Sequence, residues 1–78
     1  MLKELLITLA QALVEHPDDV VVLRNEGEDG LVTYELHVAP SDMGKVIGKQ
    51  GRIAKAIRSV MKAAAARENE KIQVDIVE

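Results

Sequence analysis

The sequence predicts an α+β domain with the element order α-β-β-α-α-β, in which three helices cover one face of a three-stranded mixed sheet. Apolar residues recur at helical spacing in residues 2–15 and 52–67, and they alternate with polar residues in residues 31–39 and 71–77. Glycines and prolines stand between these segments. Because a chain of 78 residues can build only one core, we expect a single domain over residues 1–78.

The first half of the chain predicts a helix followed by a β-hairpin. The helix of residues 2–15 should stop at His16, because the residue before a proline is pushed out of the α region. Residues 20–26 are rich in β-branched side chains and predict a strand. The two glycines of residues 27–30 can supply the positive φ of a hairpin loop, and the chain then returns as a strand over residues 31–39. The inward-facing residues of that strand are Val32, Tyr34, Leu36 and Val38.

The second half predicts two helices and a final strand. Ser41 is a candidate N-cap for a short helix over residues 42–47, and Asp42 would complement the positive end of that helix. Residues 52–67 form a longer helix. About 30 residues and two helices separate this half's strand, residues 71–77, from the preceding one, which favours a right-handed crossover and parallel pairing. The predicted apolar seam of the longer helix consists of Ile53, Ile57, Val60 and Ala64.

Charge is sorted along the sequence. Residues 1–42 contain two basic and nine acidic side chains, residues 43–67 contain seven basic and no acidic ones, and residues 68–78 carry a net charge of −3. A basic segment within an acidic chain suits a local contact with an anion better than wrapping around a polyanion, because the remaining surface repels one.

Residue content argues against several kinds of site. There is no cysteine, which excludes disulfides and thiolate metal sites. Neither His16 nor His37 has a partner that suggests a metal site or a catalytic pair, so we expect no metal, cofactor, small-molecule substrate or enzymatic activity. The one aromatic residue, Tyr34, alternates with core positions and is not expected to stack on bases. Without a signal-peptide pattern or a long apolar run, we expect a cytoplasmic protein with no membrane contact.

Two glycines interrupt the helical pattern at Gly48-Lys49-Gln50-Gly51, which we call the glycine loop. Each glycine costs roughly 0.5–1 kcal/mol relative to alanine in a helix, so a function is needed to explain them. They can end one helix and begin the next, and neither has a Cβ to hold off an approaching backbone. The start of the second helix adds free N–H groups and a partial positive charge, which predicts an anion site. The surrounding cations are Lys45, Lys49, Arg52 and Lys55.

Residues 46–54, Val-Ile-Gly-Lys-Gln-Gly-Arg-Ile-Ala, resemble the Ile-Gly-x-x-Gly-x-x-Ile signature of KH domains, whose loop clamps about four nucleotides of a single strand. The element order resembles the type II arrangement of that fold, and a free-standing domain of this length resembles the bacterial KhpA family. The resemblance implies a type II KH fold and RNA binding, as an RNA chaperone in post-transcriptional regulation. It also implies a second KH-domain protein, KhpB, as partner, and a link to cell-envelope and cell-length control.

On these grounds we predict a site for single-stranded RNA around the glycine loop. The glycines admit the RNA backbone, the cations supply charge, and an aliphatic edge at Ile47 contacts bases. The predicted RNA-binding residues are Lys45, Ile47, Gly48, Lys49, Gln50, Gly51, Arg52 and Lys55. Further along the helix, Arg58, Lys62 and Arg67 are either additional contacts or a solvated face.

Two other functions remain open from the sequence. Two helices joined by a glycine-containing turn are also typical of helix-turn-helix readers of duplex DNA, although the longer helix offers Arg, Lys and Ala rather than the Asn and Gln that read base edges. Alternatively, the basic stripe of the longer helix, which consists of Arg52, Lys55, Arg58 and Lys62, could dock an acidic protein. The domain would then be a protein-interaction module.

A third arc of the longer helix lies between its predicted apolar seam and its basic stripe. It carries small or flexible apolar side chains, which is more than solubility requires. We interpret this arc as a candidate surface for a dimer partner, either a second copy of the chain or a second KH-domain protein. Its residues are Ala54, Met61 and Ala65.

Overall fold

The computed structural model describes residues 1–77, and its elements follow the predicted order. The helices are α1 (Leu2–Leu13), α2 (Met43–Ile47) and α3 (Arg52–Arg67), and the strands are β1 (Val21–Glu26), β2 (Val32–His37) and β3 (Ile72–Val77). Short 3-10 turns occupy Pro17–Asp19, Pro40–Asp42 and Lys49–Gly51. The α+β class predicted from the sequence is confirmed. Within the described residues no helix has the length and apolar character needed to cross a membrane.

The sheet has the strand order β1-β2-β3, with β2 in the centre. Strand β1 pairs with β2 in an antiparallel register that places Val21 opposite His37. Strand β2 pairs with β3 in parallel, with Val32 opposite Ile72. The predicted mixed sheet and its parallel crossover are therefore confirmed, and the crossover contains both α2 and α3.

The β1–β2 hairpin closes through backbone hydrogen bonds. The N–H of Gly27 donates to the carbonyl of Leu31 at 2.8 Å, and the N–H of Gly30 donates to the carbonyl of Gly27 at 3.1 Å. Of the two glycines, only Gly30 has a positive φ, of 83°. One left-handed glycine is thus enough for this turn, where two were expected.

The core lies between one sheet face and the helices. The alternation predicted for β2 is confirmed, and Tyr34 is a core residue with 3% of its surface exposed. On the opposite face of the sheet, Val21 and Leu23 of β1 are about half exposed. The largest fully buried apolar side chains are Leu6, Leu36, Val46 and Met61.

Helix α3 buries a face that is rotated from the predicted one, although Ile57 is buried as predicted and Ile53 and Ala64 pack partly against the core. The predicted seam included Val60, yet that side chain is 46% exposed. The buried residues are Ala54, Ile57, Met61 and Ala65. The partner surface predicted on Ala54, Met61 and Ala65 is therefore wrong, because these side chains pack inside the monomer. Two apolar arcs compete on this helix, and the arc with small alanine side chains lets α3 come close to the rest of the core.

Helix α1 ends at Leu13, earlier than the predicted residue 15. Val14 is already extended, with φ −100° and ψ 162°. The backbone N–H groups of Glu15 and His16, which a longer helix would use internally, donate instead to the side chain of Asp42. A tertiary contact ends this helix before the proline does.

Helix α3 ends at the predicted place. Asn69 has a positive φ of 56°. Its N–H donates to the carbonyl of Ala66 at 3.2 Å, and the N–H of Glu70 donates to the carbonyl of Ala65 at 3.0 Å. These two bonds form a Schellman motif, in which asparagine takes the left-handed position that glycine more often occupies.

Candidate nucleic-acid interface

The glycine loop forms a tight turn between α2 and α3. Helix α2 is closed by the N–H of Gly48, which donates to the carbonyl of Gly44 at 2.9 Å. Gly48 has φ 74° and ψ 177°, Gln50 has φ 57° and ψ 24°, and Gly51 has φ 73° and ψ 17°. The N–H of Gly51 then bonds the carbonyl of Gly48 at 3.2 Å. Three of the four loop residues therefore lie on the positive-φ side, and one of them is not glycine.

Each glycine is required for a different reason. The backbone of Gly48 lies in a region that essentially only glycine adopts. A Cβ there would also lie 2.6 Å from Cγ1 of Ile53, so packing against Ile53 leaves no room for a side chain at residue 48. Gly51 is left-handed, but a Cβ added to it would meet no atom within 4 Å. The loop therefore packs inward at its first glycine and leaves bare, approachable backbone at its last.

The predicted RNA-binding residues surround this turn. Lys49, Gln50, Arg52 and Lys55 are exposed, and the first turn of α3 contains no acidic residue. Arg52 lies against the loop, since its Nη2 donates to Oε1 of Gln50 at 3.3 Å. The partial positive charge of the α3 N-terminus thus adds to that of nearby cations.

Two of the predicted RNA-binding residues, Lys45 and Ile47, are less available to a ligand than the others because they contact other parts of the chain. Lys45 is partly buried, and its Nζ lies 3.6 Å from Oε1 of Glu15. Ile47 is half-buried and packs against the core, which leaves one edge of its side chain accessible. A phosphate that binds Lys45 must compete with the Glu15 carboxylate, so Lys45 contributes less net charge than Lys49.

Beyond Lys55, the basic side chains of α3 differ in how they are held: Arg58 is bonded to the backbone of β3, whereas the later ones are exposed. Nε of Arg58 donates to the backbone carbonyl of Val74 at 3.1 Å, which ties α3 to the edge strand β3. Lys62 and Arg67 are exposed. A groove of about 230 Å³ lies between α3 and β3. It is lined by Arg58, Lys62, Ile72, Gln73, Val74 and Asp75.

An apolar groove lies between α1 and α3 and begins directly after the glycine loop. Its volume is about 360 Å³. Two of its side chains, Leu13 and Val60, are 39% and 46% exposed. The groove is lined by Leu9, Ala12, Leu13, Arg52, Ile53, Ala56, Ile57 and Val60.

Sequence reasoning missed the role of Asp42, the buried charged residue of the described chain, which is 1% exposed. It was expected to complement the helix dipole, with Ser41 as the cap. Instead, α2 begins at Met43 with no side-chain cap bond, and Asp42 accepts the N–H groups of Glu15 and His16 at 3.1 and 3.0 Å. A carboxylate before a short helix looks the same in sequence whether it caps that helix or reaches elsewhere.

The surroundings of Asp42 favour its charged form. Burial acts to raise the pKa of this carboxyl, but the hydrogen bonds from Glu15 and His16, together with the charges of His16 and Lys45, outweigh that effect and lower the pKa below its ordinary value. The side chain is therefore an ionised, fully bonded acceptor at neutral pH.

Comparison with known proteins identifies the family. A family model described as the KH domain of KhpA/KhpB matches residues 3–76. The chain belongs to the KhpA/KhpB KH-domain family. Relatives in this family include the RNA-binding protein KhpA of Clostridium acetobutylicum, 58% identical over 76 residues, which cover 97% of this chain and 100% of the relative. The KhpA of Listeria monocytogenes is 47% identical over 77 residues, covering 99% and 100%.

Solved structures confirm the KH fold. A crystal structure of Aquifex aeolicus Era superposes with a TM-score of 0.67 at 19% identity, covering 96% of this chain and 29% of Era. A second Era structure, in complex with MgGDPNP and nucleotides 1506–1542 of 16S ribosomal RNA, gives the same TM-score of 0.67. At this identity the likeness concerns the fold alone. The KhpA relatives carry the name of an RNA-binding protein, not of an enzyme class, and residues 1–77 contain no group of His, Asp and Glu that could hold a metal ion.

Proposed function

We propose that this chain binds short single-stranded RNA through the glycine loop, without a catalytic step. The observation that carries the proposal is the bare backbone at Gly51, which stands at the positive end of α3 with no neighbour within 4 Å of its missing Cβ. The N–H of Gly51 is already bonded to Gly48, but a phosphodiester can approach such a backbone closely and lie at the positive end of the helix dipole. Exposed Lys49, Arg52 and Lys55 supply the counter-charge. Membership of the KhpA/KhpB family supports RNA as the ligand.

The bound strand would run from the glycine loop along α3 toward the groove between α3 and β3. The distance from Arg52 to Lys62 along the helix is about 15 Å, at 1.5 Å per residue. That length suits the four or so nucleotides that a loop of this kind clamps. Ile47 would offer an apolar edge to the bases near the loop, while Gln73 and Asp75 would offer hydrogen-bonding groups to bases in the groove.

The test compares wild-type protein with a loop variant in which Lys49 and Gln50 are both replaced by Asp. Both side chains are exposed, so the variant should keep the circular dichroism spectrum and melting temperature of the wild type. We expect its affinity for a labelled single-stranded RNA, measured by fluorescence anisotropy, to be lost, because two acidic groups would face the phosphates.

A matched control makes the same change in net charge away from the loop. The variant Lys3→Asp and Lys71→Gln alters two exposed residues near the C-terminal end of α3, opposite the loop. It should lose much less affinity, since screening weakens charges that lie beyond about 8–10 Å. Equal loss in both variants would mean that overall charge, not the glycine loop, governs binding, and full affinity in the folded loop variant would rule out the loop as the site.

We further propose that the apolar groove between α1 and α3 binds a second KH domain, that of a KhpB-like protein. Support comes from Val60 and Leu13, which are exposed beside small alanine side chains that would let a partner helix pack closely. Replacing Val60 with Glu should abolish co-purification with the KhpB-like protein and leave the monomer folded. Sedimentation of the chain alone reports a homodimer if a second copy occupies the groove instead, and unchanged co-purification would reject this surface.

The wider role that the family resemblance implies is also a proposal: a cytoplasmic RNA chaperone in post-transcriptional regulation, linked to cell shape. Its test is crosslinking of RNA to the chain in cells, followed by sequencing, together with cell-length measurement in a deletion strain complemented by the wild type or by the loop variant. Complementation by a variant that binds no RNA would separate the cell-shape role from RNA binding.

A further inference from the structure

Helix α2 leads directly into the glycine loop and is too short to hold its own position. It has five residues, whereas isolated helices shorter than about 12–15 residues are marginal in water. Val46 is its buried side chain, and Met43 and Ile47 are partly buried. The position of α2, and with it the start of the loop at Gly48, therefore depends on these core contacts and on contacts at the other end of the helix.

That other end is fastened to the segment after α1. Both carboxylate oxygens of Asp42 are used, Oδ1 for the N–H of Glu15 and Oδ2 for the N–H of His16. One turn further along α2, the Lys45–Glu15 ion pair adds a second link to the same segment. A charged acceptor that receives two backbone N–H groups is a strong and directional anchor.

We infer that Asp42 is a positioning residue for RNA binding: its bidentate contact with the backbone of residues 15 and 16 fixes α2 so that the glycine loop is held in its binding geometry. The inference rests on the proposed RNA-binding function. It concerns a residue that touches no RNA, since Asp42 is 1% exposed. A loop that is correctly placed for only a fraction of the time binds with an apparent affinity reduced by that fraction.

The direction in which RNA affinity changes when Asp42 loses its charge distinguishes a positioning role from a purely electrostatic one. Asp42 carries a negative charge close to Lys45, so removing the charge should strengthen binding of a polyanion if long-range electrostatics alone mattered. Asp42→Asn also removes one acceptor and turns an amide N–H₂ toward one of the two backbone donors. Positioning therefore predicts weaker binding where electrostatics predicts tighter binding.

The experiment compares wild type, Asp42→Asn and a control, Val32→Ala, at a temperature where urea unfolding shows all three folded. Val32 is buried at the far end of β2 from Asp42, so its loss weakens the core without touching α2. With a labelled mixed-sequence RNA of about 12 nucleotides, we expect Asp42→Asn to raise Kd about tenfold if a tenth of the loops stay correctly placed. The control should stay within about twofold of wild type, since an unfolded fraction of a few per cent hardly alters Kd.

A second readout does not require RNA. The backbone amide signals of Gly48 and Gly51 in a ¹H–¹⁵N spectrum should shift in Asp42→Asn and not in Val32→Ala. If the Asn variant is unfolded, Asp42→Ser, which keeps one hydroxyl acceptor, is judged by the same criteria. Wild-type or tighter RNA binding by the folded variant overturns the inference and leaves the proposed function standing. Failure of the wild type to bind RNA overturns the proposed function, and the amide shifts then still decide whether Asp42 positions the loop.

Discussion

Gly48 and Ile53 are packed against each other across the glycine loop: a Cβ on Gly48 would lie 2.6 Å from Cγ1 and 2.9 Å from Cδ1 of Ile53. Ile53 is the second residue of α3, and Gly48 directly follows α2. This contact therefore sets how closely the two helices approach at the turn. It also separates two roles within a single motif, because Gly48 serves the packing of the loop while Gly51 leaves space outside it.

Gly48→Ala is expected to destabilise the fold. The new Cβ meets Ile53 and sits on a backbone conformation open essentially to glycine, which together should cost about 2–4 kcal/mol. Urea unfolding measures the change in free energy. Gly44→Ala is the matched control within α2, where an added Cβ meets no atom within 4 Å, and it should stabilise by about 0.5–1 kcal/mol. Equal effects at the two glycines would contradict the packing role of Gly48.

Gly51→Ala should affect binding more than stability. Its left-handed backbone costs alanine about 1–2 kcal/mol, but no neighbour is displaced. The added methyl group would occupy the space proposed for the RNA backbone, so the loss of RNA affinity should exceed any change explained by unfolding. Anisotropy titration at a temperature where the variant is folded measures this, and unchanged affinity would place the RNA elsewhere.

Salt dependence should be shallow for a nucleic-acid-binding protein. If three phosphates are neutralised by Lys49, Arg52 and Lys55, log K should fall with log salt concentration at a slope of about −2, using roughly 0.7 per phosphate of a single strand. Lys49→Met should reduce the steepness by about 0.7. A slope several times steeper would mean that RNA wraps a much larger surface than the one around the glycine loop.

Acid should remove the contribution of Asp42 to stability. Its pKa is lowered in the folded protein, so the stabilisation is complete above the unfolded pKa of about 3.9 and is lost as the pH falls through the lower folded value. The free energy of unfolding should therefore fall more steeply below about pH 4 in the wild type than in Asp42→Asn. The charged neighbours Glu15, His16 and Lys45 are present in both proteins, so parallel curves in urea unfolding at several pH values would argue against this role.

Local sequence patterns predicted the helices and strands well, but they predicted the buried faces of the helices less well. The alternation in β2 allows only one buried face, since shifting it by one residue would expose every apolar side chain. On α3, by contrast, the arc through Val60 and the arc through Met61 lie side by side and both are apolar. Only contact with the other elements selects the second arc, which explains why the predicted partner surface turned out to be core and the exposed groove lies at Val60.

The sequence by itself determined the order of elements, the parallel crossover and the place of the glycine loop. These follow from period, turn residues and charge, all of which act between near neighbours in the chain. Only the tertiary structure decided where α1 ends, which face of α3 is buried and what Asp42 does. Each of these depends on a partner that is distant in sequence: the carboxylate of Asp42 binds the backbone of Glu15 and His16, some 26 residues away, and no local pattern encodes such a contact.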